Sequence, residues 1–490
     1  MIDTEGHSLT ASRRLVVFFT LCVCFVVLYV CFSDIQGFWF DELFSIGVVR
    51  EGVSFKDLIY TYVTSETTNP PLYDIVLFFL YRFLPKNEAW LLSVNALFWM
   101  IGTFLISLLA EKKTENPTAP FIVLAFSGIS VFLINNAVWE LRSYALLYML
   151  ASLVQFLFFK AKEHESSRNL LFLGLAMVLL AFTHYFGDIV IFCYGLMDLI
   201  LFIRKKVTLK CLLPYIMCIA TMGPYLILTI RNSPGVAEDF WILPPSAYDV
   251  LDTYVTLLGN KYSLIISVVA LICMIAAMNK GGKIDEKEEA AIASFFVIFV
   301  LSAIVFAYSR FINPRASIWT ARYFIAIVPS VIFCATVSLS LLPRSISRLT
   351  GNDINKKGLY EWILVFIMII FMICGSHNNL KLLFTDDIAL APDNINIRRA
   401  SELMKKESKN KDKDVLVVTT LRNNYLEGWK EFYVKDTDLR IINANEVGSN
   451  ELEGKTVYLF FPHGRIPEMD IEGTVINSAY GGRLIELECR

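Results

Sequence analysis

Two neighbouring carboxylates near the start of the chain are the first residues that could do chemistry. Asp41 and Glu42 follow an aromatic run in the segment 37–45, which reads GFWFDELFS. A carboxylate within hydrogen-bonding reach of a hydroxyl group can remove its proton as a general base. Carboxylates at a membrane boundary are costly to place and often mark a functional site. The alternative is that both acids occupy a helix N-terminus, where the helix dipole favours them.

A second group of polar side chains recurs at every second residue. Glu140, Arg142 and Tyr144 lie in the segment 139–144, which reads WELRSY. If this segment is helical, Glu140 and Tyr144 share one face at a spacing of four residues, and Arg142 points elsewhere. A plain interfacial aromatic belt with an acid at the helix start is the alternative.

Further candidates stand at the ends of apolar runs. Arg322 and Tyr323 open a long apolar run late in the chain. An arginine there can hold a phosphate through two parallel hydrogen bonds, or it can extend to a lipid headgroup. His184 is either a ligand or a histidine whose hydrogen bonds are already satisfied. The segment 70–73, PPLY, marks by itself only a rigid turn into a helix.

The composition indicates what kind of protein must position these residues. Of the 490 residues, 56% are hydrophobic and 18% are charged, whereas soluble domains are about 25% charged. The net charge of −2 gives no long-range field for nucleic acid, so no nucleic-acid partner is expected. The ten cysteines include no CxxC pair, so neither a zinc site nor a redox motif is indicated. The sequence therefore predicts an α-helical polytopic membrane protein.

Apolar runs of about 20 residues predict membrane-spanning helices, because the backbone must satisfy its own hydrogen bonds in lipid. The first run, 15–32, has no small-residue cleavage site after it and is interpreted as an uncleaved anchor. About 11 spans are predicted on this basis. They lie at 15–32, 90–110, 119–136, 140–160, 169–184, 187–203, 209–230, 263–280, 289–308, 321–342 and 359–375.

The loops between the predicted spans differ in charge. Lys and Arg cluster in the loops 111–118, 160–168, 204–210, 280–288 and 343–357. The positive-inside rule places these loops and the N-terminus in the cytoplasm. The loops that then face the outside, with the C-terminus, are 34–89, 134–140, 183–188, 231–262 and 309–320. This alternation requires the run 72–84 to lie along the outer interface, since about 14 residues are too few to span a bilayer.

The chain changes character near residue 376. Residues 1–375 are predicted to form the transmembrane domain, with 34–89 as its first external loop. Residues 376–490 are predicted to form a small soluble α/β domain outside the membrane. An amphipathic helix is expected around 398–404. Short β-branched runs predict strands at 415–418, 439–442, 456–461 and 483–487.

The order of these motifs on one predicted face resembles a known family. The chain is similar to the GT-C fold glycosyltransferases that use polyprenyl-phosphate sugars. The branch it resembles most holds the protein O-mannosyltransferases and the lipid A aminoarabinose transferases. The resemblance covers residues 1–375 and rests on four short elements in order: Asp41-Glu42, Pro70-Pro71-Leu72-Tyr73, Glu140 to Tyr144, and Arg322-Tyr323.

The resemblance implies an inverting glycosyltransferase of a bacterial inner or plasma membrane. It would move a hexosyl or pentosyl group from a polyprenyl-phosphate donor to an extracytoplasmic hydroxyl of a glycan, lipid or protein, among membrane lipids. Asp41 is then the catalytic base, Glu42 a second active-site acid that orients the acceptor or the loop, and Arg322 the residue that stabilises the leaving phosphate. The other substrate-binding residues are expected to be Pro70, Tyr73, Glu140, Arg142, Tyr144, His184 and Tyr323.

Two positions depart from the family pattern. Asn69 stands where a histidine usually precedes the proline pair, and the segment 91–95 lacks the arginine expected at the start of the second span. The contacts to the donor phosphate and any divalent metal site therefore stay open, and no cofactor is assigned. A transporter or flippase of a lipid-linked or small polar substrate is the alternative from another class, although the sequence shows no inverted repeat. A membrane assembly protein is a third interpretation.

The predicted orientation can be tested by cysteine labelling in intact cells. A cysteine introduced at Ser408, in the polar C-terminal region, should react with a membrane-impermeant thiol reagent, since that region is assigned to the outside. A cysteine at Ser167, in a basic loop, should react only after lysis. The opposite labelling pattern would place Asp41 in the cytoplasm and remove the need for a lipid-linked donor.

Overall fold

The computed structural model of the protein describes most of the chain. The described residues are 3–32, 37–64, 69–232, 242–281, 284–351, 362–363, 365–375, 396–409, 415–435, 437–447, 452, 455–462, 473–479 and 483–489. Parts of several predicted segments lie outside the described residues. They include 34–36 and 65–68 in the first loop, 233–241 in a later loop, 282–283 in a basic loop, 352–361 around the last span, and 376–395 at the start of the predicted soluble domain.

Most of the described chain is helical, as the hydrophobicity predicts. Eight helices of the described chain are long and apolar enough to cross a membrane: Arg14–Phe32, Glu88–Thr114, Tyr144–Glu163, Tyr185–Ile203, Leu209–Asn232, Lys261–Lys280, Glu286–Ile312 and Ala321–Thr350. The predicted span 119–136 is a pair of helices bent by 57°. Two shorter apolar helices, Ser167–Ala181 and Val365–Gly375, overlap the other two predicted spans. The predicted fold class is confirmed.

The α-helices are numbered in chain order. They are α1 Asp3–Phe32, α2 Phe40–Val49, α3 Phe55–Thr64, α4 Leu72–Phe83, α5 Glu88–Thr114, α6 Ala119–Gly128, α7 Val131–Leu133, α8 Tyr144–Glu163, α9 Ser167–Ala181, α10 Tyr185–Ile203, α11 Leu213–Asn232, α12 Ala247–Leu257, α13 Lys261–Gly281, α14 Glu286–Ala307, α15 Val328–Thr350, α16 Val365–Gly375, α17 Ile397–Ser408 and α18 Asn423–Tyr433. Tighter or wider turns extend some of them. They are the π-turns Ile134–Val138 and Tyr308–Ile312 and the 3₁₀ turns Leu209–Leu212, Pro314–Ala316 and Ala321–Ile327.

Helix α15 forms the centre of the bundle. It is buried almost without interruption from Val328 to Leu339, because α5, α6, α8, α13 and α14 surround it. The 3₁₀ turn Ala321–Ile327 leads into it and is buried from Phe324 onward. The start of α15 is therefore a rigid part of the bundle from which a side chain can be held in place.

The end of α15 differs from the prediction. The predicted loop 343–357 is helical up to Thr350, and Gly351, with a φ of +77°, ends the helix in the left-handed region. Arg344 and Arg348 form ion pairs with carboxylates at the start of α14. These pairs hold the charged stretch on the bundle, so it continues the helix where the sequence suggested a loop.

The predicted first external loop contains three short helices, α2, α3 and α4. Helix α4 covers 72–83 of the run 72–84 and has 12 residues, too few to cross a bilayer. Tyr73, Asp74 and Leu77 are buried on one of its sides, whereas Phe79 and Phe83 are exposed on the other. Such a division between buried and exposed apolar side chains is typical of a helix that lies on a membrane interface.

The described C-terminal residues form a small α/β unit, here called the C-terminal domain and defined as α17, α18 and five strands. The strands are β1 Val415–Thr419, β2 Arg440–Asn443, β3 Thr456–Phe460, β4 Gly473–Ala479 and β5 Leu484–Cys489. They pair in the order β2-β1-β3-β5-β4, with β1 parallel to β2 and β3, and β5 antiparallel to β3 and β4. The sequence indicates each of these strands except the edge strand β4.

Candidate active site

The side chain of Glu42 connects two segments that are distant in sequence. Its Oε2 accepts a hydrogen bond from the backbone N–H of Trp39 (2.8 Å), which caps the first turn of α2. Its Oε1 accepts from the backbone N–H of Leu141 (2.5 Å), just before α8. Burial raises the pKa of Glu42, against the two backbone donors that favour its charged form. Glu42 therefore holds the start of α2 against the segment 139–143.

The segment 139–143 is not helical, which corrects the sequence-based interpretation. Helix α8 begins only at Tyr144. The carbonyl oxygen of Glu140 accepts hydrogen bonds from the backbone N–H of Arg142 (2.7 Å) and from Nδ2 of Asn95 (2.6 Å). These bonds close a tight bend instead of a helical turn, so the expected division of the side chains between two helix faces does not occur.

The Arg142 side chain consequently points toward α2 and not away from the site. Its Nη1 donates to the carbonyl oxygen of Asp41 (3.2 Å) and to Oγ of Ser45 (3.4 Å). Although burial disfavours its charge, the carboxylates of Asp41 and Asp74 raise the pKa of Arg142 well above its ordinary value. Arg142 is therefore a permanent cation bound to the first turns of α2.

Arg322 lies between two carboxylates. Its Nη1 is 3.6 Å from Oδ2 of Asp41 and 3.8 Å from Oε1 of Glu140. Both distances exceed those of direct hydrogen bonds, so the attraction is one between charges. The ring centroids of Trp39 and Tyr323 lie 5.5 and 5.9 Å from the guanidinium carbon, within the range of cation–π contacts. One guanidinium is thus shared by two acids that come from different parts of the chain.

Glu140 has the environment of an acid that changes its charge near neutral pH. Burial raises its pKa to about 7, although the Arg322 guanidinium favours the charged form. The side chain of Trp39 donates a hydrogen bond to the Glu140 carboxyl group. Near pH 7 Glu140 therefore exists in both its neutral and its charged form, and its attraction for the Arg322 guanidinium changes with pH.

An aromatic wall stands beside Arg322. The ring centroids of Tyr144, His184 and Tyr323 lie 5.1 to 6.5 Å apart. Nδ1 of His184 accepts a hydrogen bond from the backbone N–H of Phe186 (3.1 Å), which caps the start of α10. Burial and the nearby arginines lower the pKa of His184 to about 3. The imidazole is therefore neutral, with its proton on Nε2, and offers one N–H donor.

Tyr73 and Asn95 link the proline-containing turn to the site. The hydroxyl of Tyr73 donates to Oδ1 of Asn95 (3.2 Å), and Nδ2 of Asn95 donates to the carbonyl oxygen of Glu140 (2.6 Å). Pro70 and Tyr73 line a small pocket together with Arg142. Asn95 is fully buried and lies in the segment where the family pattern has an arginine. Sequence analysis did not single it out, and its signal is a lone amide inside an apolar run.

Asp74 is a second site residue that sequence analysis missed. It is buried in the first turn of α4 and accepts a hydrogen bond from the hydroxyl of Tyr62. It lines the same small pocket as Arg142. An acid directly after the turn 70–73, at the start of an apolar run, is the sequence feature that could have identified it.

The structure brings the ten predicted site residues into one connected group. The charged centre consists of Asp41, Glu42, Glu140, Arg142 and Arg322, the wall consists of Tyr144, His184 and Tyr323, and Pro70 and Tyr73 complete one side. The residues come from the starts of α2, α4, α8 and α10 and from the turn that leads into α15. Helix N-termini carry partial positive charge, so this convergence favours an anionic ligand.

Metal-ligating side chains are not grouped in the described part of the chain. No set of three or more His, Cys, Asp or Glu side chains there is arranged to hold a metal ion. Asp41 and Glu140 both approach Arg322. Among the described residues, the positive charge beside these two carboxylates is that of the Arg322 guanidinium.

A large apolar cavity lies between α12, α13, α14 and α15. Its volume is about 650 Å³, and its lining is almost entirely aliphatic and aromatic, as at Leu251 and Phe299. Trp319 lines the cavity and lies three residues before Arg322 in the sequence. A lining of this kind suits an apolar ligand such as a hydrocarbon chain.

Comparisons with known proteins bear on the fold. Neither the protein-family models nor the curated protein sequences match the chain. The chain is similar to the crystal structure of ArnT from Cupriavidus metallidurans in the apo state, with a TM-score of 0.62, 11% sequence identity and coverage of 98% of each chain. It is also similar to ArnT from the same organism bound to undecaprenyl phosphate. There the TM-score is 0.57, the identity 12%, and the coverage 96% of this chain and 97% of ArnT. The predicted resemblance to the aminoarabinose transferase branch of the GT-C fold is confirmed as a likeness of fold.

The two backbone contacts of Glu42 predict the effect of Glu42→Gln. The amide group of glutamine would turn an N–H donor toward a backbone N–H, and a buried donor left without an acceptor costs about 1–3 kcal/mol. The purified variant should unfold at a lower temperature, and the amides of α2 should exchange faster with solvent. Glu446→Gln, on an exposed turn of the C-terminal domain, is the control and should change neither. A Glu42→Gln protein with unaltered melting and exchange would show that these contacts do not hold α2.

Proposed function

We propose that the protein is an inverting glycosyltransferase that moves a sugar from a polyprenyl-phosphate donor to an acceptor hydroxyl outside the cytoplasm. The observation that carries this proposal is the position of Arg322 beside Asp41 and Glu140. It supports a reaction that needs a proton acceptor and a cation for a phosphate within a few ångströms of each other. The fold shared with ArnT, which has been crystallised with undecaprenyl phosphate, supports a lipid-linked donor.

The proposed reaction exchanges one bond at the anomeric carbon for another. The acceptor oxygen attacks this carbon while its proton passes to the carboxylate of Asp41. The bond from the anomeric carbon to the phosphate oxygen breaks with its electron pair on that oxygen. The polyprenyl phosphate leaves with one more negative charge, and Arg322 stabilises this charge. A single displacement of this kind inverts the anomeric centre.

Glu140 sets how much of the positive charge of Arg322 is neutralised before the donor binds. With a pKa raised to about 7 by burial, Glu140 is partly neutral at physiological pH. A neutral Glu140 leaves more of the guanidinium's charge for the phosphate of the donor. A fully ionised pair of acids would compete with that phosphate for the same cation. Glu140 is thus proposed to tune donor binding and not to remove the acceptor's proton.

Glu42, Arg142 and Asn95 are proposed to position the reacting groups. Glu42 binds two backbone N–H groups and Arg142 binds the carbonyl of Asp41. Asn95 holds the bend that carries Glu140. All four contacts act on backbone groups at, or within two residues of, Asp41 or Glu140. They therefore support a role in orienting Asp41 and Glu140 and none in the chemical step.

Two further surfaces suit the two ends of the donor. The wall of Tyr144, His184 and Tyr323 offers aromatic faces and one N–H donor beside Arg322, as a sugar ring requires. The apolar cavity of about 650 Å³ that includes Trp319 is suited to the first isoprenoid units. The acceptor is proposed to be a hydroxyl of a glycan, a lipid or a protein.

The same features argue against the transporter alternative. The charged residues of the site lie at the starts of helices, at one end of the bundle. Transporters usually bind their substrates near the middle of the membrane, at interrupted helices. We therefore propose an enzyme of the inner or plasma membrane with its active site on the outer face.

Replacing Asp41 by Asn tests the proposed base. Asn keeps the shape of the side chain but cannot accept the proton, so turnover should fall by about 10²–10⁴-fold. Binding of undecaprenyl phosphate to the purified protein should not weaken, since an uncharged Asn does not compete with the phosphate for Arg322. Asp252→Asn, on the exposed side of α12, is the matched control. Near-normal transfer of labelled sugar by Asp41→Asn would remove this residue from the mechanism.

Replacing Arg322 tests the proposed phosphate contact. Arg322→Ala removes a charge-assisted bond worth on the order of 1.5–3 kcal/mol, so undecaprenyl phosphate should bind roughly 10- to 100-fold more weakly. Arg322→Lys should recover part of the affinity, because lysine keeps the charge without the planar fork. Arg310→Ala, an exposed arginine of the same connection, should bind the lipid normally. Unchanged affinity in Arg322→Ala would favour a contact with bulk lipid headgroups instead.

A further inference from the structure

We propose that helix α18 of the C-terminal domain is a positioning element of the active site, which holds α2 and thereby Asp41. This inference rests on the proposed function, because it assigns the C-terminal domain a part in the same reaction. The rival view is that this domain is an independent module, joined to the membrane bundle only by the chain.

The backbones of α2 and α18 touch directly. A Cβ atom added at Gly428 would lie 1.8 Å from the carbonyl oxygen of Leu43 and 2.9 Å from the backbone nitrogen of Gly47. A Cβ atom added at Gly47 would lie 1.9 Å from the carbonyl oxygen of Asn424. Distances below 3.0 Å to backbone atoms cannot be relieved by a side-chain rotation. Each helix therefore fixes the position of the other at this crossing.

Aromatic rings extend this contact to the residue before Asp41. The rings of Phe40 and Tyr425 are stacked, with centroids 4.2 Å apart and planes inclined by 14°. The same Tyr425 ring lies 5.3 Å from that of Phe44, one turn further along α2. Ring pairs of this kind contribute about 0.5–1.5 kcal/mol beyond the area they bury. The first turn of α2 is therefore held from the side of the C-terminal domain.

Tyr433, at the end of α18, holds the chain that leads into α2. Its hydroxyl oxygen accepts a hydrogen bond from the backbone N–H of Phe38 (2.7 Å) and donates its own proton to Glu88. Arg398 of α17 donates to the other oxygen of Glu88 (2.8 Å). Burial raises the pKa of Tyr433 well above its ordinary value, so the hydroxyl keeps its proton and can donate it. A buried polar network thus joins the C-terminal domain, α5 and the start of α2.

Charged contacts hold the other end of α2. Arg50, which follows its last residue, forms an ion pair with Glu427 (3.7 Å) and contacts Oδ1 of Asn424 (3.5 Å). Lys435 forms an ion pair with Glu51 (2.7 Å). These pairs are partly exposed and each contributes little stability. Together with the aromatic and backbone contacts they leave α2 attached to α18 along its whole length.

The proposed base and the proposed phosphate-binding cation are held by different parts of the fold. Arg322 belongs to the rigid lead into α15, whereas Asp41 belongs to α2. A shift of α18 therefore moves the proposed base relative to the proposed phosphate-binding cation. Misplacement of a reacting group by about 1 Å can cost roughly 10²-fold in rate. An independent module would have no such effect on turnover.

The test compares Gly428→Ala and Tyr433→Phe with the wild-type full-length protein. Gly223→Ala is the matched control, since a Cβ atom there meets nothing within 4 Å. Three quantities are measured for each: turnover of a labelled polyprenyl-phosphate sugar in membrane vesicles, binding of undecaprenyl phosphate to the purified protein, and hydrogen exchange of the amides in 40–49. We expect turnover to fall roughly 10- to 100-fold in Gly428→Ala and about three- to tenfold in Tyr433→Phe. Lipid-phosphate binding should stay nearly unchanged, because neither variant alters Arg322 or the lead into α15 that carries it.

Hydrogen exchange separates the two proposals. Faster exchange of the amides in 40–49 in both variants, with Gly223→Ala unchanged, supports the positioning role. This holds even if the wild-type protein transfers no sugar, because that result would contradict the proposed function alone. Normal turnover and normal exchange in a folded Gly428→Ala protein would overturn the inference. If Gly428→Ala does not fold, Tyr433→Phe decides in the same way. A loss of lipid binding equal to the loss of turnover would also overturn it, since positioning of the base predicts a change in turnover alone.

Discussion

The rest of the site depends on one electrostatic constraint, the holding of a guanidinium in a largely apolar protein. Arg322 is only 14% exposed, and a charge in such a place is tolerated when opposite charges lie close to it. Asp41 and Glu140 supply them, from α2 and from the bend before α8. Because these segments are far apart in sequence, the bundle has to bring three separate chain segments to the same point. The tight packing around α15 provides the fixed side of that arrangement.

The polar residues around this centre act mainly on the backbone. Glu42 accepts from two N–H groups, Arg142 donates to the carbonyl of Asp41, and Asn95 donates to the carbonyl of Glu140. Buried backbone groups must be paired, so these side chains make it possible for the chain to be non-helical just before α2 and at Glu140. Tyr433 does the same from the C-terminal domain. These hydrogen bonds stabilise the non-helical backbone of the site at the ends of the helices.

The likeness to ArnT shows how little of the sequence such a fold requires. Identity is 11–12% although nearly the whole of both chains aligns in space. Helices that pack in lipid need apolar surfaces and small residues at close contacts more than particular side chains. One of the two departures from the family pattern, in the segment 91–95, is occupied by a buried amide. Asn95 takes a place there in the hydrogen-bond network of Glu140.

The amino-acid sequence by itself determined the membrane class, the position of most apolar spans and most strands of the C-terminal domain, because hydrophobic length and β-branched runs are local properties. It also indicated the motifs with Asp41 and Arg322, since charged residues at the ends of apolar runs are conspicuous. The tertiary structure decided the rest. The direction of Arg142 follows from a bend that Asn95 stabilises across 45 residues of sequence, and Asp74 and Tyr433 became relevant only through their neighbours. Such roles depend on long-range contacts, which periodicity along a chain does not encode.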